Sequence, residues 1–141
     1  MGSFKIEYSE NLNEETEHRM STGFIEYEKS HGIDVNYKTF AFILSDENGI
    51  AFGVLNAYTA FEEVYLDDIW VHESLRGKGY GRQLLNTLEL HFKGKNYNNI
   101  NLVTSAFQAP DFYKKCGYQV EFVRINKTNP KLTKTFFVKY F

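Results

Sequence analysis

The sequence predicts an α/β domain built on a mixed, mostly antiparallel sheet flanked by helices. Three observations carry this prediction. Alternating apolar runs separated by turn residues occupy most of residues 40–71. A glycine-rich loop follows at 77–81, and the apolar spacing then switches from two to 3.6 over 81–93. A short apolar strand at 100–104 completes a strand–helix–strand crossover, which places its two strands parallel.

Taken in order, Phe4, Ile6 and Tyr8 alternate with polar residues and suit a short first strand. Residues 12–31 read as a helix with Met20, Phe24 and Tyr27 on one face, stopped by His31-Gly32. Phe40, Phe42 and Leu44, then Ile50, Phe52 and Val54, flank the turn residues Asp46-Glu47-Asn48-Gly49 and predict a hairpin. A third strand runs over 63–71. Leu84, Leu85, Leu88 and Phe92 form one helical face that Gly94 ends. Pro110 suits the first position of a second, short helix, with Gly117 as its stop. Strands at 118–125 and 133–140 close the fold around Asn129-Pro130. No linker or repeat interrupts the chain, so residues 1–141 read as a single domain.

Bulk properties exclude several classes. Thirteen Phe and ten Tyr predict an aromatic-rich core. A net charge of −2 argues against a nucleic-acid partner. One cysteine excludes an intrachain disulfide framework, and no Cys/His spacing suggests a metal. No apolar run approaches a membrane span and no leader pattern opens the chain, as expected of a soluble cytoplasmic protein.

The loop Leu75-Arg76-Gly77-Lys78-Gly79-Tyr80-Gly81-Arg82 is the most informative stretch. Glycines at alternate positions let the backbone approach a ligand closely. Successive N–H groups at a helix start form an anion site, with Arg76, Lys78 and Arg82 adding charge. A phosphate or pyrophosphate is the expected guest. The spacing matches neither a P-loop nor a dinucleotide fingerprint.

The R-x-x-G-x-G of Arg76, Gly79 and Gly81 resembles the acetyl-CoA loop of the GNAT superfamily of N-acetyltransferases. Two further segments extend the resemblance over residues 50–124. Ala109-Pro110-Asp111-Phe112-Tyr113-Lys114-Lys115-Cys116-Gly117-Tyr118 is similar to the family's A-x-x-F-Y-x-K-x-G-F, and Tyr65-Leu66-Asp67-Asp68-Ile69-Trp70-Val71 to its acidic fourth strand. The chain looks most like small bacterial single-domain members.

The resemblance implies acetyl-CoA as co-substrate, held by Ile69, Trp70, Val71, Arg76, Gly77, Lys78, Gly79, Tyr80, Gly81 and Arg82. The pantetheine arm would enter a splayed parallel strand pair. It implies Tyr113 as the acid toward the leaving thiolate; a phenol near 10 sits close enough to an alkyl thiol to share a proton. Packing against Phe107 or Phe112 is the alternative use of that ring. Asp67 stands where the spermidine/spermine acetyltransferases have a glutamate base, with Asp68 beside it for substrate binding. Adjacent strand residues face opposite ways, so only one acid reaches the acetyl group unless a bulge re-aims the pair. Pairing with nearby Lys or Arg is the alternative. Trp70 or Tyr65 lines the slot, or Trp70 packs in the core. One departure stands out: Ala106 occupies the position of the family's pantetheine-binding asparagine, leaving Thr104, Ser105 or Gln108 as substitutes.

The expected activity is direct acetyl transfer to a primary amine in a ternary complex. The acid pair favours a small cationic acceptor such as a polyamine, amino sugar or lysine-like amine, with peptide N-termini, protein lysines and aminoacyl-tRNA as other candidates. A covalent relay through Cys116 is disfavoured, because no histidine is near it in sequence. The competing classes are a non-catalytic acyl-CoA-binding or regulatory module, which Ala106 keeps open, and a nucleotide-phosphate binder unrelated to CoA. Phe136, Phe137, Tyr140 and Phe141 offer a homodimer seam.

Overall fold

The computed structural model describes residues 2–141, and the chain divides into two units, Met1–Val35 and Asn36–Phe141. In the first, helix α1 spans Glu14–Ser30. Asn13 caps it, its side-chain oxygen accepting from the Thr16 N–H at 2.8 Å, and Glu14, Glu15 and Glu17 complement the positive end of the helix. The expected strand at residues 4–8 does not form. Those residues are exposed, and the sheet contains no strand from before residue 38. Alternation supplies a face but no ladder partner, and an unpaired strand leaves its backbone groups to water.

The second unit follows the expected order: β1 (Lys38–Ser45), β2 (Ala51–Ala60), β3 (Glu63–Val71), α2 (Tyr80–Phe92), β4 (Asn99–Ser105), α3 (Pro110–Lys115), β5 (Gln119–Arg124) and β6 (Lys134–Tyr140). The six strands form one sheet in the order β1-β2-β3-β4-β6-β5, so β6 inserts between β4 and β5. Every pair is antiparallel except β3–β4. Asp46 closes the first hairpin by accepting from the Asn48 and Ile50 N–H groups, both at 2.9 Å. The next turn is tight and lacks glycine, with Phe61 in the left-handed region at φ 55°.

Leu84, Leu85, Leu88 and Phe92 of α2 are buried with Leu55, Ala57, Val64, Leu66, Ile100, Leu102 and Phe137 of the sheet and Tyr113 of α3. Aromatic rings hold four of the thirteen buried positions of this core, and Phe40, Phe42, Tyr97 and Phe112 pack against it, so it is richer in rings than the chain as a whole, as expected. Phe92, Tyr113, Tyr118 and Phe137 are the buried aromatics, while Phe122, Tyr27, Tyr37 and Trp70 are exposed. Composition counts rings but cannot assign them to a face.

The short α3 is held in place by polar contacts. Lys139 on β6 forms an ion pair with Glu89 of α2 at 2.9 Å and donates to the Cys116 carbonyl at 3.2 Å. The Tyr118 hydroxyl donates to the same glutamate at 3.1 Å. These bonds tie α2, β6 and the end of α3 together, and so fix Tyr113. Among the described residues, no helix is long and apolar enough to cross a membrane.

Candidate active site

The parallel pair is the structural origin of the site. β3 and β4 pair at only three positions, Glu63↔Asn99, Val64↔Ile100 and Tyr65↔Asn101. Beyond them β3 continues along β2, and β4 continues along β6 to Ser105↔Lys134. A gap therefore opens beside residues 66–71, where β3 has backbone N–H and C=O groups with no β4 partner.

A cavity of about 690 Å³ occupies the open end of this gap, between β3, the glycine loop and α3. All the residues expected to hold the co-substrate line it except Lys78. Gly77 and Gly79 have φ of 74° and 87°, conformations that favour glycine. Gly79 is the N-cap of α2 and brings no side-chain cap, and the first backbone bond into the helix is Gln83 N–H to Gly79 carbonyl at 3.0 Å. The amides of residues 77–82 thus have no backbone acceptor among the described residues, as an anion site requires. Gly81 serves differently: a Cβ there would lie 3.3 Å from Cζ of Phe112, so this glycine permits close packing of α2 on α3.

The two arginines also differ. Arg76 is anchored by its Nε, which donates to the Val71 carbonyl at 2.9 Å, leaving its terminal nitrogens at the mouth of the cavity. Arg82 commits one terminal nitrogen to the Lys115 carbonyl at 3.0 Å, capping the end of α3. Trp70 is 43% exposed and lines the cavity, so the core alternative for it fails. On the opposite wall, Gln108 is fixed by its Oε1, which accepts from the Ser105 N–H at 2.9 Å.

Tyr113 also lines the cavity and is only 6% exposed. Among the described residues its hydroxyl has no hydrogen-bond partner, and no buried side-chain polar atom is left unsatisfied. The phenol tip is therefore the part of the ring that meets the cavity. Burial first, then the charges of Asp68 and Cys116, push its pKa up to about 12.

The acid pair sits in a β-bulge. The register slips between Asn56 and Ala57, with Asn56↔Asp68 and Ala57↔Leu66, so Asp67 is the extra residue of β3. Asp68 makes itself felt at Tyr113, whereas Asp67 lines a second cavity of about 230 Å³ with Tyr58 and Tyr65. Asp67 is largely solvent-accessible, yet the burial its carboxyl undergoes, followed by the charge of Asp68, raises its pKa. Cys116 is pushed up chiefly by burial, against the lowering effect of Arg82, which keeps it a thiol rather than a nucleophilic thiolate.

The acetyltransferase (GNAT) domain family matches residues 37–120. An acetyltransferase from Bacillus cereus is 30% identical and superposes with a TM-score of 0.78, over 96% of this chain and 98% of its own. The chain belongs to the GNAT superfamily of N-acetyltransferases. Two more distant members share the GNAT fold. A Bacillus anthracis acetyltransferase in complex with acetyl coenzyme A is 21% identical, with a TM-score of 0.64 over 73% of this chain and 62% of its own. A spermidine N-acetyltransferase variant from Vibrio cholerae is 18% identical, with a TM-score of 0.58 over 84% and 74%. No curated protein matches the sequence.

Several residues of this GNAT acetyltransferase line its cavities without having been assigned to the site from the sequence, three of them inside the quoted motifs. Leu75, Ala109 and Phe112 line the larger cavity. Tyr58 and Glu121 line the smaller one. Tyr58 was within reach: a two-residue turn at Phe61-Glu62 pairs it with Tyr65 by counting alone. Glu121 was not, because its position depends on β6 inserting between β4 and β5.

Proposed function

We propose that this enzyme transfers an acetyl group from acetyl-CoA directly to a small, cationic primary amine, and that the whole chain works as one acetyltransferase domain. The observation that carries the reading is the gap between β3 and β4, with a phosphate-competent loop and Tyr113 lining the cavity at its open end and Asp67, in the same unpaired stretch of β3, lining a second cavity.

The unpartnered amides of residues 77–82 and the free nitrogens of Arg76 hold the pyrophosphate. Arg82, one of whose terminal nitrogens is engaged at Lys115, contributes its main-chain N–H and its remaining guanidinium donors, and Lys78 acts at longer range. The pantetheine arm lies along Ile69, Trp70 and Val71, bonding to the unpaired edge of β3. Gln108, held by its oxygen, keeps an amide NH₂ group for the contact that Ala106 cannot make.

In the transfer, the incoming ammonium first loses one proton to solvent; the neutral amine nitrogen then attacks the thioester carbonyl carbon, the C–S bond breaks with the sulfur leaving as thiolate, and the nitrogen gives up its second proton. A backbone N–H on the gap edge of β3 receives the developing oxyanion. Asp67 accepts the amine proton through a water, and its raised pKa makes it a better base than an ordinary aspartate. Asp68 holds the incoming ammonium group.

The role of Tyr113 follows from its raised pKa. Burial pushes the Tyr113 phenol up to about 12, which works against full proton transfer to the leaving thiolate. Donating a hydrogen bond to the developing thiolate carries no such penalty. Tyr113 therefore stabilises the leaving group as a donor that stays protonated at every physiological pH. Cys116, kept as a thiol, takes no part, which leaves direct transfer.

Melting curves with acetyl-CoA, CoA, ATP and NAD test the cofactor assignment. A ligand at 100 times its dissociation constant adds about 2.7 kcal/mol to the native state. Acetyl-CoA and CoA are expected to raise the melting temperature while ATP and NAD do not. An equal shift with ATP would make the loop a general nucleotide-phosphate site and overturn the assignment.

A further inference from the structure

The smaller cavity has a character of its own. Tyr58 and Tyr65 stack in one wall, with ring centres 4.9 Å apart and planes at 8°. Asp67 and Glu121 both line it, and each is the odd residue of a bulge, Asp67 against β2 and Glu121 against β6, where the register slips between Val120 and Phe122. A bulge re-aims a side chain that regular alternation would direct elsewhere. Two independent bulges thus bring carboxylates from strands on either side of β4 and β6 to one space.

The cavity lining contains no Lys, Arg or His. Arg124, on the same strand as Glu121, is stacked on Phe136 with its guanidinium 5.2 Å from the ring centre, and it lies outside the lining. Tyr65, Asn101 and Glu121 also line a third, more polar cavity of about 300 Å³ that continues past them to Glu63. Glu63 itself is engaged, accepting from the Tyr65 hydroxyl and from Asn99. Glu121 therefore stands where the two cavities meet, without a hydrogen bond or ion pair among the described residues, whereas Asp67 lines only the first.

Three strand steps separate β3 from β5 in the sheet. At ~4.8 Å per step paired backbones would lie about 14 Å apart, and the β3–β4 step is wider at Asp67, which lies in the gap; the two side chains reach back across part of that span. Two ammonium groups joined by a short aliphatic chain suit that spacing, and the methylenes would run over the stacked tyrosines, whose faces also attract cations.

Resting on the acetyltransferase reading above, we propose that this cavity is the acceptor subsite and that Glu121 binds a second ammonium group, making the preferred acceptor a short α,ω-diamine. Asp67 takes the proton of the amine to be acetylated, and Glu121 holds the amine that is kept. The tyrosine pair fixes the chain between them.

The test compares kcat/KM for a linear monoamine with those for α,ω-diamines of three to six carbons, in the wild type and in Glu121→Gln. The wild type should prefer a diamine by at least about tenfold, as a charge-assisted contact implies. In Glu121→Gln that ratio should fall toward one, mainly through a higher KM for the diamine. Equal use of mono- and diamines by the wild type overturns the proposal while leaving the acetyltransferase reading intact, and so does a preference that survives in Glu121→Gln. Absence of turnover with every amine overturns both.

Discussion

Tyr113→Phe is expected to lower kcat for acetyl transfer by about 10²- to 10³-fold, the cost of removing one donor aimed at developing charge. Cofactor binding should survive, because the loop amides and Arg76 are untouched. The substitution also separates a chemical role from a packing one. The phenol makes no hydrogen bond among the described residues, so the phenylalanine ring fits the same space with stability held within about 0.5 kcal/mol. Steady-state kinetics beside a melting curve check this. A large loss of stability with proportionate loss of activity would return Tyr113 to the core, and unchanged turnover would remove it from the mechanism.

Asp67→Asn should cost about 10²-fold in kcat/KM near neutral pH and progressively less as pH rises. The wild type needs Asp67 ionised, so its activity falls on acidification through a pKa displaced above the usual 3.8. An acceptor amine near 10.4 deprotonates unaided at high pH and then has less need of the base, so the deficit of the variant shrinks. Stability behaves in the opposite sense. A carboxyl whose pKa is raised on folding binds its proton more tightly in the native state. Stability is therefore lost as pH rises from the unfolded value through the folded one. Removing this charge should leave the protein no less stable at neutral pH. A pH–rate profile of the variant parallel to that of the wild type would contradict the base role.

Both substitutions act at places where the sequence and the structure agree unevenly. The strand boundaries of β3 and the starts of α2 and α3 were legible because each carries a local signal: an alternating run, a glycine N-cap, a proline in the first turn. The site was legible where its function lies in the backbone of one segment, as in the loop at 77–81. Signals that need a partner were not. Residues 4–8 alternate as a strand does but have no ladder to join, and the ring count could not say which rings are buried and which exposed. Adjacent acids on a strand suggested opposite faces. The bulge at Asp67, the exception that expectation allowed for, exists only through the register with β2. The three glycines also divide their work: Gly77 and Gly79 supply left-handed backbone, while Gly81 makes room for Phe112.

The central claim is that this GNAT domain catalyses transfer rather than merely binding an acyl-CoA. Its most direct test is free-thiol release from acetyl-CoA in the presence of short primary amines, with mass analysis of the amine. The account predicts one acetylated amine for each thiol released, and no release when the amine is omitted. An acetyl-CoA-dependent rise in melting temperature without thiol release for any primary amine would contradict it, and would make the chain a binding module that retains the fold without the chemistry.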